Sequence, residues 1–150
     1  MRVWLLVIGL AACEKSSPAP APEPVPADRD QLLSAITVDM ITYAEHLPAI
    51  LLAFDGDCAA HATRLLTLEP LVSSIRTRSA ELSPDETRRV RERMGARKTE
   101  ILARLDAQLA EKHATRADVE AKEAAVKTAC ANDPKATDAM DRVGLFKKAP

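Results

Sequence analysis

Residues 57–82 read DCAAHATRLLTLEPLVSSIRTRSAEL, and within them Cys58, His61, Leu65, Leu68, Val72, Ile75, Ser79 and Leu82 fall on a strict alternation of three and four. At about 3.6 residues per turn, that spacing stacks these eight side chains on one side of a helix and leaves the charged residues on the other. The stretch is a packing seam, and it implies a helical domain. Pro70 stands inside it. Its ring removes a backbone donor and crowds the turn before, so a kink is expected there.

The same periodicity extends in both directions. Upstream, Leu33, Ile36, Met40, Tyr43, Leu47 and Phe54 recur near three and four, with Asp28 as a candidate helix cap. Pro48 is expected to bend or end that helix near His46 and Leu47, and Asp55-Gly56 to break the chain. Downstream, Ser83-Pro84-Asp85-Glu86 is a complete helix start: serine caps, proline occupies the first position, and the glutamate at the third reaches back. A long helix is expected from there, with Val90, Met94, Ile101, Leu105 and Leu109 as its apolar stripe. Arg88, Arg89, Arg91, Arg93, Arg97, Lys98 and Arg104 cover much of the rest. Thr115 and Asp118 form a second capping box that opens a helix to about Cys130. Asn132-Asp133-Pro134 ends that helix and opens a short last one, stopped by Gly144. The expected fold is all-α, a four-helix-bundle-like domain.

Composition supports this reading. Hydrophobic residues make up 47% of the 150-residue chain but aromatics only 3%, so the apolar content is mainly Ala, Leu, Val and Ile. That balance suits helices better than a sheet. With 21 Lys plus Arg against 22 Asp plus Glu, the net charge of −1 provides no field for nucleic acid, and no nucleic-acid partner is expected.

The N-terminus has a different character. Met1-Arg2 is followed by an unbroken apolar run over residues 3–10, and then by Leu10-Ala11-Ala12-Cys13. The run is too short to stay as a membrane span, which needs about 20 residues, and suits a removable export segment. Leu10-Ala11-Ala12-Cys13 resembles the lipobox of bacterial lipoproteins at all four positions. The resemblance implies that the Cys13 thiol takes a diacylglycerol, that residues 1–12 are cut away as signal peptide, and that the new N-terminus is acylated. Several acyl chains on one residue would anchor the protein stably to a membrane. Glu14 leaves the choice between inner and outer membrane open. Residues 13–27 then form the lipidated cysteine and a Pro/Ala-rich tether, and residues 28–150 the helical domain. In the tether, Ser16 to Ala27 alternates proline with small residues, which favours extended polyproline II. At about 3.1 Å per residue it would hold the domain some 35–40 Å from the lipid.

With Cys13 given to lipid, Cys58 and Cys130 remain, and an oxidising envelope compartment is expected to pair them. The alternative is two buried, unpaired thiols. A pair also poses a geometric problem. In a plain up-and-down bundle the start of the second helix and the end of the fourth lie at opposite ends, whereas a disulfide needs Cα atoms within about 7 Å. Either an earlier start of the second helix or a fourth helix covering only part of the bundle would resolve it.

No catalytic site is expected, since neither a Gly-x-Ser-x-Gly element nor a phosphate-binding glycine loop is present. No metal site or cofactor is expected either. His46, His61 and His113 fall in separate elements without paired spacing, and the Cys-x-x-Cys-His of haem attachment is missing. Leu82-Ser83-Pro84-Asp85-Glu86 is similar to the Leu-Thr-x-x-Gln element of small periplasmic stress and metal-resistance chaperones, with Glu86 in place of the glutamine. The leading expectation is a non-enzymatic envelope lipoprotein whose helical module is structural or binds an envelope protein. A periplasmic chaperone or metal-stress sensor using the arginine face is the second. A haem or metal binder, pairing a histidine with Met40 or Met94, is the third.

Overall fold

The computed structural model describes residues 27–145, and these form seven helices with no strand. The all-α expectation holds. They are α1 (Ala27–Leu52), α2 (Cys58–Leu66), α3 (Glu69–Ser79), α4 (Pro84–Ala96), α5 (Lys98–Glu111), α6 (Arg116–Ala129) and α7 (Pro134–Arg142). The expected signal peptide, Cys13 and nearly all of the tether lie outside the described residues.

α1 is the axis on which α2 to α6 pack. It begins at Ala27, so Asp28 sits in its first turn rather than at its cap. Pro48 does not end it: the helix runs on to Leu52. A proline there forfeits one helical hydrogen bond, but its ring is almost fully buried between Leu47 and Leu51, which are buried too. Burial of that apolar surface offsets the lost bond.

The seam over residues 57–82 is two helices, not one kinked helix. α2 stops at Leu66, and α3 opens at Glu69 with Pro70 in its first turn. Backbone N–H groups in a first turn have no intrahelical acceptor, so a proline is tolerated there and favours a fresh start over a kink. The stripe itself points inward as its spacing requires: His61, Leu65, Leu68, Val72 and Ile75 are all buried.

The expected long third helix is likewise divided, at Arg97. The break is slight, because hydrogen bonds from Arg97 N–H to the Arg93 carbonyl and from Ile101 N–H to the Arg97 carbonyl carry across it. Gly95, a weak helix former, stands two residues before. The division lets α4 follow the first half of α1 and α5 the second. Val90 of α4 packs with Leu33 and Ile36 of α1 in a small apolar cluster. Leu105 and Leu109 of α5 join Leu47, Leu51, Phe54, Leu65, Val126 and Met140 in the main core.

Both capping boxes are complete. The Ser83 Oγ accepts from Glu86 N–H while the Glu86 carboxylate accepts from Ser83 N–H, and Thr115 and Asp118 exchange the same pair. Asp133 accepts from the N–H groups of Lys135 and Ala136 to open α7. Gly144, at φ +81°, closes it in a left-handed turn that suits glycine.

Candidate functional site

Cys58 is the first residue of α2, and Cys130 caps the end of α6. Their sulfurs are bonded, with Cα atoms 5.5 Å apart across 72 residues of sequence. α2 does not start early, but α6 has 14 residues against 26 in α1, or about 21 Å against about 39 Å. Its end meets the start of the short α2, which lies packed on α7. Asp57 fixes the start of α2 by accepting from Ala60 N–H at 3.0 Å.

His61 stands one turn after Cys58 and has no solvent exposure. Its ring meets Phe54 edge to face, with centroids 5.1 Å apart and planes at 70°. Neither ring nitrogen reaches a hydrogen-bond partner among the described residues. Burial, with help from Arg64, lowers its pKa from the ordinary imidazole value, and Asp55 partly opposes this. The other two histidines lie elsewhere: His46 is exposed on α1, and His113 occupies the α5–α6 turn at φ 53°. Among the described residues no group of three or more His, Cys, Asp and Glu is placed to hold a metal ion. Met40 and Met94 are half-buried.

The arginine row on α4 and α5 is not an uncompensated positive face. Arg88 pairs with Asp85 and Glu92, Arg93 with Asp30, and both Arg97 and Arg104 with Glu100. Those two guanidiniums hold the Glu100 carboxyl down to about 2. Arg29 and the Ser83 cap do the same for Glu86, which is also near 2. Glu86 thus serves two structures at once: its carboxylate takes Arg29 of α1 in a bidentate grip, at 2.7 and 2.8 Å, while completing the cap of α4.

An open groove of about 610 Å³ lies between the second half of α1, the α2–α3 junction and α5. It is lined by Pro48, Ile50, Leu68, Leu105 and Leu109, with Glu45, His46 and Lys112 supplying charge and polarity. Glu45 is already held by Arg104 at 3.4 Å. On the opposite flank Tyr43 donates from its hydroxyl to the Val143 carbonyl at 2.9 Å, tying α1 to the end of α7, and burial pushes the phenol up to about 12.

Residues 28–52 are long and apolar enough to cross a membrane by length and composition alone. In the fold, however, Leu33, Ile36, Ile41, Leu47 and Leu51 of this helix are core residues. Cysteine number and compartment pointed to the disulfide partners, and sequence periodicity to the inward stripe of α2 and α3. It passed over Ile41, Leu51 and Thr37, which are buried because α1 is surrounded on several sides and so has a broader apolar face than a three-four stripe describes. No family model, curated protein or solved structure matches the chain.

Proposed function

We propose that the protein is an exported lipoprotein of the cell envelope, anchored through Cys13 to the inner or outer membrane. Its helical domain faces the periplasm or the cell surface and is a non-enzymatic structural or protein-binding module. The observation that carries this reading is Leu10-Ala11-Ala12-Cys13 directly after the apolar run of residues 3–10. The Cys58–Cys130 disulfide supports it, because such bonds persist in oxidising compartments and are rare where thiols are kept reduced. The ion-paired state of the arginine row favours a structural or binding role over capture of acidic clients. Intact mass and membrane fractionation of natively expressed protein, beside a Cys13→Ala variant, test the reading. Loss of residues 1–12, a gain of acyl mass and a membrane location that the variant lacks would support it. An unmodified chain in the cytosol would refute it.

A further inference from the structure

Among the described residues, the only buried side-chain nitrogen or oxygen atoms that reach no hydrogen-bond partner are Nδ1 and Nε2 of His61. A neutral imidazole can be buried this way at moderate cost, but an imidazolium carries a charge and two donors that require water or an acceptor. Among the described residues no acceptor reaches either ring nitrogen. On its own helix Ala62 and Leu65 are buried beside it, and α7, which packs on α2, brings Ala136, Ala139 and Met140 to the core with no exposure at all.

The charged groups of the neighbouring elements are all otherwise engaged or exposed. Arg64 of α2 and Asp55 of the α1–α2 turn pair with each other at 3.4 Å. Lys122 of α6 donates to the Phe54 carbonyl at 3.0 Å, and Lys127 of α6 pairs with Glu123. Glu45 of α1 is taken by Arg104. Lys135, Asp138, Asp141 and Arg142 of α7 are exposed. No carboxylate stands ready to receive a proton-bearing ring.

We propose that His61 is an acid-sensitive latch: the α2–α7 layer closes over the neutral ring, and protonation in mild acid drives that layer open. The direction follows from linkage. In the open chain the imidazole takes its proton near 6.5, whereas in the closed fold it resists doing so. Stability is therefore complete above about pH 6.5 and falls as the pH drops below it, the unfolding equilibrium rising by up to about tenfold per pH unit. The depressed carboxylates Glu86 and Glu100 contribute only at lower pH, because their unfolded counterparts titrate near 4.5. The interval from about pH 6.5 to about pH 5 thus isolates the imidazole. Opening would expose the inward faces of α2 and α7 while the disulfide keeps α2 tethered to α6.

The test is urea unfolding followed by circular dichroism at pH 7.5, 6.5, 5.5 and 5.0 on the wild type, His61→Leu and the exposed-site control His46→Gln. It is joined by ring-nitrogen NMR of His61 in the wild type over the same range. The expected result is a steep loss of stability between about pH 6.5 and 5 in the wild type and the control. The slope should flatten in His61→Leu, and the His61 ring should stay neutral for as long as α2 and α7 give folded signals. A ring that titrates near 6.5 in the intact fold, or an unchanged slope in His61→Leu, overturns the proposal. Should His61→Leu fail to fold, the wild-type ring titration decides alone.

Discussion

Replacing both Cys58 and Cys130 by alanine, or reducing the wild type, removes a cross-link that spans 72 residues of sequence. In the chain-entropy description, closing a loop of that length lowers the entropy of the unfolded chain by about 15 cal/mol/K, or about 4.4 kcal/mol at 25 °C. For residues 27–145, at about 2.1 cal/mol/K each, the entropy of unfolding near the midpoint is about 250 cal/mol/K. The quotient is a fall in Tm of about 15–20 °C. Differential scanning calorimetry of oxidised wild type, wild type with a phosphine reductant, and the double alanine variant gives the answer in three scans. The two cross-link-free samples should agree with each other and melt well below the oxidised one. A gap of less than about 5 °C would refute the loop-closure reasoning. So would free thiols at both positions, titrated in protein unfolded without reductant.

The Glu86 carboxylate, held near 2 by Arg29 and the Ser83 N–H, stabilises the fold above its unfolded value of about 4.5, and that stabilisation disappears as the pH falls toward 2. Acid unfolding followed by circular dichroism should therefore be less steep between those values in Glu86→Gln. Leu65→Ala, at a position with no solvent exposure, should cost about 2–5 kcal/mol in urea unfolding, whereas Val38→Ser, at 50% exposure, should stay within about 0.5 kcal/mol. Gly144→Ala places a Cβ at φ +81° and should cost about 1 kcal/mol in the same assay, whereas Gly95→Ala, in the helix with open space around it, should stabilise by about 0.4–1 kcal/mol.

The parts of the fold visible in the sequence are those set by local chemistry. Ser83 with Glu86, Thr115 with Asp118, and Asp133 before Pro134 announce the starts of α4, α6 and α7, because a cap is built from residues three or four apart. The prolines were harder to read. Pro48 and Pro70 look alike in sequence, yet one is buried in an unbroken helix and the other opens a new helix, an outcome decided by what packs around each ring. The same holds for His61. Its place on the apolar stripe was legible, but its lack of any polar partner depends on how the Phe54 ring turns onto it and on α7, more than 70 residues on. Cys58 and Cys130 could be named as a pair from their number and compartment, while the meeting of the start of α2 with the end of α6 required the structure.

The cross-link also governs what happens when the backbone is cut. Residues 84–98 carry a dense series of arginines on partly or wholly exposed helix positions, open to a trypsin-like protease whenever α4 frays. Every peptide bond there lies between Cys58 and Cys130, so hydrolysis divides the chain without releasing either piece. A nicked molecule would run as one species on a gel without reductant and as two after reduction. The half bearing the N-terminus and the half bearing α5 to α7 would part only when the disulfide is reduced.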